Sequence, residues 1–409
     1  VRRDNKIEAY NIPQGVICHM YRDIAAHRVG TVTHVGLHTF ADPRIEGCKL
    51  NERTTEDIVE VINILGEERL IFKTRPIDVV FLRATSADEN GNISMEREVC
   101  PVDATAMALA AKNSGGRVYV QVERLVKAGT IDPKLVKIPG ILVDAVAVAD
   151  PEDHPQSFGH AYDPTLTGEA VAPDTESEPL PLSAKKIIGR RAAMELRENS
   201  VVNLGIGAPE YVSAVANEEG IGDYITLTVE GGPVGGIPLG GSQFGASRNA
   251  DCYFDQNVMF DLYDGGGLDQ AYLGLAQADE NGNVNVSRFG PRIAGCGGFI
   301  DITQNAKRVY FCGTFTAGGL KTSIKDGKLV IENEGREPKF IKQVEQITFS
   351  GNFAAEKGQP VMYITERAVF ELRKDGVYLT EVAPGIDIKT QIIDVMGFEP
   401  KIDGEVKLM

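Results

Sequence analysis

Several features are scarce or absent in this sequence of 409 residues. No apolar run is long enough to cross a membrane, and we expect no signal peptide. Acidic residues outnumber Lys and Arg by 58 to 42, and the net charge of −16 opposes non-specific binding to nucleic acid or to an anionic membrane. The six cysteines form no C-x-x-C pair, which favours reduced thiols over a disulfide framework. We therefore expect a cytoplasmic protein whose partners include neither nucleic acid nor a membrane.

Histidine is absent after residue 160. The later part of the chain therefore cannot form a Ser-His or Cys-His pair from its own residues, although a histidine from the first part could reach across. His34 and His38 lie in a segment that is typical of strand and turn, without an acidic third ligand, so no metal site is predicted. Cys296 and Cys312 have no neighbouring base in the sequence, and we interpret both as packing residues.

Two segments of the sequence are nearly identical. A-D-E-N-G-N begins at Ala87 and again at Ala278, 191 residues later, and the strand-like segments that begin at Arg117 and Arg308 keep the same offset. Two matches in one register indicate two related halves. Asn-Gly between apolar stretches predicts a turn in each copy, since the full ligand pattern of a calcium loop is missing.

The region 150–182 is rich in proline and poor in aliphatic residues, and it is predicted to be an extended linker. On either side of it, strand-like segments alternate with helical ones. This order predicts the α/β class, with two related open α/β domains whose sheets are mostly parallel. The predicted boundaries are 1–149 for the first half and 183–409 for the second half.

Four local patterns give more specific expectations. The segment 102–113 is predicted to be a helix, and Ser183 is predicted to cap another. The segment 139–149 is predicted to be a buried strand. The segment 359–383 alternates in hydrophobicity, which predicts an antiparallel hairpin that turns at Asp375-Gly376.

A turn with two glycines, Gly205 and Gly207, follows the apolar segment 200–204. Glu210 stands where a dinucleotide fingerprint needs its third glycine, so a Rossmann cofactor site is not predicted. A turn that leads into a helix could still receive a phosphate or a carbonyl oxygen. A plain strand-to-helix turn is an equally good interpretation.

The segment L-T-V-E-G-G-P-V-G-G-I-P places Glu230 at the end of an apolar run and among glycines. A glycine-rich turn lets a substrate approach the backbone closely. A glutamate is already ionised at neutral pH and can attack an activated acyl group without a base. Neighbouring glycines could supply the backbone N–H donors that such an attack requires. The alternative interpretation is a solvated turn residue.

Long segments of the sequence resemble the family I coenzyme A-transferases, in particular their single-chain acetate/propionate type. They include LTVEGGPVGGIP, FDLYDGGGLDQAYLGLAQ, VSRFGPRIAGCGGFIDITQNAK, YFCGTFTAGGLK and YNIPQGVICHMYRDIAA. The resemblance implies transfer of CoA from a short-chain acyl-CoA to a free short-chain carboxylate by ping-pong kinetics. It also implies that CoA is a substrate, that no cofactor is permanently bound, that no metal is needed, and that the protein is a homo-oligomer.

The same resemblance implies catalytic roles for individual residues. Glu230 is expected to be the nucleophile that becomes a glutamyl-CoA thioester. The family's G-x-G-G-x-x-D segment falls on Gly295, Gly297, Gly298 and Asp301. The backbone N–H of Gly298, or with less support that of Gly297, is expected to hold the developing oxyanion.

Substrate contacts are implied for a second group of residues. Gln14 lies in the family's Pro-Gln-Gly segment and is expected to reach the acyl site from the first half. The remaining expected contacts are glycines, namely Gly205, Gly207, Gly231 and Gly232.

The sequence departs from the family pattern at two places. Family members carry Ser-Glu-Asn-Gly where this sequence has V-E-G-G at 229–232, which leaves the shape of the acyl pocket open. The glycine-rich turn near the family's N-terminus is not found, so we expect a fragment that lacks its start. Arg288, Arg292 and Lys307 could contact the CoA phosphates or could be solvated surface charges.

Two other functions are compatible with these residues. A CoA-thioester hydrolase would use the same carboxylate but admit water, and it would release CoA without an acceptor acid. A non-catalytic module that binds metabolites would keep its ligand after Glu230→Ala and would have no activity to lose. Glycines clustered around one acid fit the binding module less well.

Overall fold

The structure, a computed structural model, describes residues 5–158, 160–173 and 179–409. Its helices in these ranges are α1 (Gln14–Ala25), α2 (Ala104–Asn113), α3 (Ala184–Ala193), α4 (Glu210–Glu218), α5 (Gln256–Asp264), α6 (Phe299–Asn305), α7 (Gly351–Lys357) and α8 (Ile388–Gln391). None of these described helices is both long and apolar enough to span a lipid bilayer. The helix predicted at 102–113 is confirmed as α2. The predicted cap is also confirmed, because the Ser183 side chain accepts a hydrogen bond from the backbone N–H of Lys186 at 3.2 Å.

The first part of the chain forms two small sheets. Their strands are β1 (Gly30–Thr33), β2 (Val59–Ile64), β3 (Glu67–Lys73), β4 (Val79–Asp88), β5 (Ile93–Ser94), β6 (Arg117–Val126), β7 (Val136–Ile138) and β8 (Ala145–Val148). Strands β1, β3 and β2 form an antiparallel sheet in that order. The other sheet has the order β7-β5-β4-β6-β8, and its strands β4, β6 and β8 are parallel.

Helix α2 covers one face of the five-stranded sheet, and the other face is exposed where β4 and β6 begin. Val80 and Leu82 on β4 pack against the alanines of α2. On the opposite face, Phe81 is 78% exposed and stacks on the ring of Tyr119 at 5.5 Å between centroids. The prediction of a buried strand over 139–149 is wrong in extent and in burial, because Gly140–Leu142 form a 3-10 helix and β8 is a largely exposed edge strand. An edge strand has one neighbour only, so its apolar residues gain little from the sheet.

The second part of the chain forms a sheet of ten described strands and several short hairpins. The strands are β9 (Ser200–Leu204), β10 (Ile225–Thr228), β11 (Pro233–Val234), β12 (Ile237–Pro238), β13 (Ser247–Arg248), β14 (Cys252–Tyr253), β15 (Gln270–Gly274), β16 (Gln277–Ala278), β17 (Val284–Asn285), β18 (Arg288–Phe289), β19 (Arg292–Ile293), β20 (Val309–Cys312), β21 (Thr316–Ala317), β22 (Lys321–Lys325), β23 (Lys328–Asn333), β24 (Glu337–Pro338), β25 (Val361–Ile364), β26 (Ala368–Arg373), β27 (Gly376–Val382) and β28 (Lys407–Leu408). The large sheet has the order β14-β11-β10-β9-β15-β20-β25-β26-β27-β28.

The centre of the large sheet is parallel, from β10 through β9, β15 and β20 to β25, and antiparallel strands flank it. The predicted hairpin is confirmed, since β26 and β27 pair in antiparallel fashion and turn at Asp375-Gly376. The α/β class with mostly parallel sheets is therefore confirmed as well.

Helices cover the large sheet on both faces. Ala271 and Leu273 on β15 belong to a core that includes Phe260 of α5 and Ile302 of α6. The intervening Tyr272 belongs to the opposite core, which is built on α3 and α4. Because both faces are buried, the central strands are almost continuously apolar.

The two A-D-E-N-G-N copies form the same turn, as predicted. Asp88 Oδ1 accepts hydrogen bonds at 2.9 Å from the backbone N–H groups two and four residues later. Asp279 Oδ1 accepts the equivalent pair at 3.0 Å. In both copies the carboxylate accepts hydrogen bonds from the backbone of its own turn, which agrees with the prediction of a turn at each copy.

The domain boundaries stay a prediction. Within the predicted linker, 159 and 174–178 lie outside the described residues. The described remainder contains two 3-10 helices, Pro151–Asp153 and Pro164–Leu166. Part of it packs on the second half, since Tyr253 donates a hydrogen bond to the carbonyl of Leu166 at 2.8 Å.

Candidate active site

Glu230 lies in a tight turn directly after the central strand β10. The turn is closed by the backbone N–H of Gly232, which donates to the carbonyl of Val229 at 3.0 Å. β10 pairs in parallel with β9, so Glu230 lies at the carboxyl edge of the parallel strands. Ligands of open α/β sheets bind at that edge.

The two glycines after Glu230 lie close to their neighbours, Gly231 tightly and Gly232 too closely for any side chain. A Cβ on Gly231 would lie 3.1 Å from Cys100 Sγ and 3.3 Å from the carbonyl oxygen of Gly245. Gly232 has φ +127°, and a Cβ there would lie 2.1 Å from the carbonyl oxygen of Phe254. These contacts account for the V-E-G-G sequence where the resembling family carries an asparagine after the glutamate.

Gly298 approaches the side chain of Glu230 more closely than any larger residue could. A Cβ on Gly298 would lie 3.3 Å from Glu230 Cγ and 3.0 Å from the ring of Phe260. Gly298 is the N-cap residue of α6, and Gly297 before it has φ +51°. Neither the N–H of Gly297 nor that of Gly298 has an acceptor among the described residues. The loop that contacts the glutamate through Gly298 thus holds two backbone donors without an acceptor among these residues.

Gln14 reaches this loop from the first half, as the resemblance implies. Its backbone N–H donates to the carbonyl of Gly297 at 2.9 Å. A Cβ on Gly297 would lie 3.7 Å from Gln14 Oε1, so the amide group of Gln14 also faces the loop. The structure therefore brings Glu230, Gly297, Gly298 and Gln14 together.

Gly205 and Gly207 lie on the neighbouring strand-to-helix turn. Asn203 on β9 is the register partner of Thr228 on β10, so Gly205 and Glu230 each lie two residues beyond the same pair. The N–H of Gly205 donates to the carbonyl of Tyr272 at 2.8 Å. The backbone of Gly207 has φ +91°. This turn joins the carboxyl edge of the sheet to α4.

Asn203 and Tyr263 are polar residues beside Glu230 that the sequence analysis did not identify. Asn203 is fully buried, and its Nδ2 lies 3.3 Å from the carbonyl oxygen of Thr228 and 3.4 Å from Tyr263 Oη. Tyr263 Oη in turn donates to Thr228 Oγ1 at 3.0 Å. The sequence contains one indication of this role, an asparagine inside the apolar segment 200–204. A buried amide requires a hydrogen-bond partner, so an asparagine in a buried strand points to a polar group nearby.

Three effects act on the pKa of Glu230. Burial of the carboxyl group is the largest and raises the pKa, while hydrogen bonds from the residue's own backbone N–H and from the Asn203 side chain lower it, and the net shift is upward. The carboxylate also raises the pKa of Tyr263, after the larger effect of burial. A partly desolvated carboxylate is a stronger nucleophile than one in water, because less hydration must be removed before attack.

The three basic candidates differ in their partners. Arg288 Nη1 lies 3.0 Å from Glu46 Oε2, and Lys307 Nζ lies 2.7 Å from Asp269 Oδ1. These ion pairs favour the surface-charge interpretation of Arg288 and Lys307. Arg292 is exposed, has no ion pair within the described residues, and lies just before the Gly297-Gly298 loop.

The histidines and thiols do not form a competing site. His34 Nε2 lies 2.6 Å from Asn305 Oδ1, and burial lowers the pKa of His34. His38 stacks on Phe353. Burial raises the pKa of Cys296 and of Cys312, which disfavours the thiolate form of both. The described ranges contain no group of three or more His, Cys, Asp or Glu side chains that could hold a metal ion.

Comparison with known proteins adds a family and several relatives. Residues 1–149 match the family model described as Coenzyme A transferase. The chain is 50% identical to the caffeate CoA-transferase of Acetobacterium woodii, in an alignment that covers 100% of this chain and 79% of the relative. It is 47% identical to the acetate CoA-transferase YdiF of Escherichia coli O157:H7, over 99% of this chain and 76% of the relative.

Solved structures of YdiF from E. coli O157:H7 have the same fold. The apoenzyme superposes with a TM-score of 0.94, and the thioester complex with CoA superposes with a TM-score of 0.92. Each match has 45% sequence identity and covers 100% of this chain and 77% of the YdiF chain.

Proposed function

This chain belongs to the coenzyme A-transferase family, and from that premise we propose that Glu230 carries CoA from a short-chain acyl-CoA to a free short-chain carboxylate. The observation that carries the proposal is the approach of Gly298 to Glu230, where a Cβ would lie 3.3 Å from the glutamate Cγ. A nucleophilic carboxylate beside a free backbone N–H is the arrangement that acyl transfer requires.

The proposed reaction has two symmetrical halves. The Glu230 carboxylate attacks the thioester carbonyl of the donor, which gives an acyl-glutamyl anhydride and CoA thiolate. The thiolate then attacks the glutamyl carbonyl, which releases the donor acid and leaves a glutamyl-CoA thioester. The acceptor acid reverses both steps, so the kinetics are ping-pong. One thioester replaces another, and no ATP is required.

The residues around Glu230 have distinct roles in this proposal. Gly298 N–H stabilises the oxyanion, with Gly297 N–H as a second donor, because neither amide has an acceptor among the described residues. The amide of Gln14 orients the acyl group. Gly231 and Gly232 keep the turn thin enough for the thioester to approach. Glu230 is half-buried, and closure of the site over bound CoA would keep water from the anhydride.

The CoA moiety would extend along the carboxyl edge of the sheet, past Gly205 and Gly207. Arg292 is the proposed phosphate contact, since it is the exposed cation of the three candidates that has no ion pair in the described ranges. For the acids themselves, the relatives are named for acetate and for caffeate. We place this chain in the acetate, propionate and lactate class, as the resemblance implies. A homo-oligomeric state also stays a prediction.

The test is an intact-mass spectrum after incubation with propionyl-CoA and no acceptor acid. A CoA adduct on wild type that maps to Glu230 and is absent from Glu230→Gln supports the proposal. Steady CoA release without an adduct would instead indicate the hydrolase. If neither an adduct nor CoA release is detected from folded protein, the catalytic role of Glu230 is refuted.

A further inference from the structure

Helix α1 brings Gln14 from the first half to the loop beside Glu230, and the N-terminus of this helix requires acceptors. The first backbone N–H groups of an α-helix have no partner within the helix. The N-cap residue of α1 is Pro13, whose ring offers them no acceptor. The carbonyl of Gly297 accepts the N–H of Gln14 at 2.9 Å. The next N–H group, that of Gly15, requires an acceptor from another element.

A carboxyl group of the second half lies directly against Gly15. A Cβ on Gly15 would lie 2.3 Å from Asp301 Oδ1 and 2.7 Å from the ring of Phe260. Residue 15 can therefore carry no side chain while Asp301 holds this position. Asp301 follows the N-cap residue Gly298 by three positions, so both lie in the first turn of α6. One turn of α6 thus contacts both Glu230 and the start of α1.

The carboxyl group of Asp301 is fully buried and is not committed to another partner. Asp301 has 0% relative exposure. Among residues 5–158, 160–173 and 179–409, neither Oδ1 nor Oδ2 has a hydrogen bond of standard geometry. The backbone N–H of Gly15 is nevertheless close enough to lower the pKa of Asp301 through hydrogen bonding. Since a buried carboxyl group requires a partner, Gly15 is the donor that the other half supplies.

The surroundings of Asp301 favour its neutral form. Burial is the largest effect and raises the pKa of Asp301 well above its ordinary value, and the carboxylates of Asp264 and Glu230 raise it further. The thiols of Cys18 and Cys296 face the same group. A neutral carboxyl group still accepts an N–H through its carbonyl oxygen, and it adds no second negative charge next to Glu230.

We propose that Asp301 is a positioning residue for CoA transfer, whose carboxyl group binds the first turn of α1 and so holds the amide of Gln14 at the Gly297-Gly298 loop. This inference rests on the proposed function and adds to it the residue that couples the two halves at the site. In the first turn of α6, Gly298 faces the nucleophile and Asp301 fixes the residue that orients the acyl group. The same contact explains why a glycine follows Gln14.

The experiment measures kcat and KM for exchange of labelled acetate into acetyl-CoA. Asp301→Ala should lower kcat about 10- to 100-fold and change KM for acetyl-CoA less than about threefold, as expected when an orienting group is displaced by about 1 Å. Asp301→Asn keeps a carbonyl oxygen in the same place and should retain kcat to within about threefold. Asp301→Ala should add less than about twofold to the loss caused by Gln14→Ala, because it acts through that residue.

Asp103→Ala is the matched control. Asp103 is also a buried carboxyl group beside α1, where it lies near Cys18 in the middle of the helix, and its Oδ1 has no hydrogen-bond partner in the described ranges. Its removal should lower the melting temperature but change kcat less than about threefold, and that change should multiply with the effect of Gln14→Ala, as for independent sites.

Amide hydrogen exchange over residues 13–20 tests the contact without any turnover. Exchange should be faster in Asp301→Ala than in wild type, and it should stay slow in Asp301→Asn and in Asp103→Ala. Unchanged exchange in Asp301→Ala would overturn the inference, as would a kcat within threefold of wild type or losses that multiply with Gln14→Ala. If Asp301→Ala does not fold, Asp301→Ser shortens the side chain and is judged by the same criteria. Absence of acetate exchange in wild type would refute the proposed function, whereas the amides of α1 test the contact of Asp301 by themselves.

Discussion

The two copies of the A-D-E-N-G-N turn have the same hydrogen bonds but opposite electrostatics. In the first half, a side-chain hydrogen bond from Asn92 is the main effect that lowers the pKa of Asp88. In the second half, burial is the main effect, and it raises the pKa of Asp279 although Asn283 donates the equivalent bond. Local sequence therefore determines the shape of the turn, whereas the surrounding structure determines the direction in which the pKa of its aspartate shifts.

The surroundings of the two turns explain the difference. A Cβ on Gly91 in the first turn would lie 3.5 Å from the backbone of Gly140 and 4.0 Å from Val143 Cβ, which are ordinary contact distances. The corresponding Gly282 is buried beneath Leu372 and Tyr363, and Tyr363 donates a hydrogen bond to its carbonyl at 2.5 Å. The sheets differ in a similar way, since one face of the five-stranded sheet is exposed around Phe81, whereas the ten-stranded sheet is covered on both faces. The proposed nucleophile belongs to the enclosed half.

The largest expected effect is a loss of catalysis when a glutamate is removed from the second half but not from the first. Glu230→Ala should lower kcat for CoA transfer by at least about 10⁴-fold, because the covalent route is lost. The matched change in the first half, Glu89→Ala, removes an exposed carboxylate and should change kcat less than twofold. Steady-state kinetics with acetyl-CoA and propionate measure both. Comparable losses of kcat in the two variants would contradict a catalytic role that is specific to Glu230.

The next effect concerns the backbone beside the nucleophile. Gly298→Ala would bring a methyl group to 3.3 Å from Glu230 Cγ and 3.0 Å from Phe260, and would displace the N–H from the oxyanion. We expect kcat to fall about 10²- to 10³-fold, as for loss of an oxyanion donor. Gly274→Ala is the control, since a Cβ there meets nothing within 4 Å. An unchanged kcat for Gly298→Ala with a normal melting temperature would contradict the oxyanion role.

A third effect compares the stability of the two turns. Asp279→Ala leaves several backbone N–H groups without an acceptor, including that of Val344, in a buried region. It should reduce the free energy of unfolding by about 3 kcal/mol. Asp88→Ala leaves its donors close to solvent and should cost about 1 kcal/mol. Urea unfolding monitors both variants, and equal losses would show that the covering structure has no influence on the turn.

The smallest expected effect is the opposite pH dependence of the two aspartates. Because the folded-state pKa of Asp88 is lowered, its stabilisation is present above the unfolded pKa and is lost as pH falls. Because that of Asp279 is raised, its contribution is present below the unfolded pKa and is lost as pH rises through the folded pKa. The stability difference between wild type and Asp88→Asn should therefore stay nearly constant from pH 7 to pH 4 and shrink below about pH 4, whereas that for Asp279→Asn should grow from pH 7 to pH 4. Unfolding at about pH 7, 4 and 2.5 gives the sign for each variant.

Much of the fold was predictable because it depends on neighbours in the sequence. The helix at 102–113, the Ser183 cap, the hairpin at Asp375-Gly376 and the two Asn-Gly turns follow from local patterns. The burial of 139–149 was not predictable in this way, since an edge strand and a central strand can have the same composition. Whether an apolar residue is covered depends on parts of the chain far away in sequence.

The residues of the candidate site also fall into two groups, those that sequence motifs identify and those that only distant contacts identify. Glu230, Gly298 and Gln14 were identified through long family motifs, and the structure brings them together. The sequence analysis missed the hydrogen bond of Asn203 to Glu230 and the contact of Cys100 with Gly231. The first joins residues 27 positions apart and the second joins residues 131 positions apart, so no local pattern reveals them. Arg288 and Lys307 were ambiguous for the same reason, since their ion-pair partners are distant in sequence or on another element.

The hydrogen bond between the Gln14 N–H and the Gly297 carbonyl joins the two halves without using the chain that connects them. Packing, rather than covalent continuity, assembles the site. Two separate genes could therefore encode the two halves of such a site. The rate at which the site assembles would then depend on the concentrations of both polypeptides. The connecting segment acts as a tether that replaces this bimolecular step with an intramolecular one.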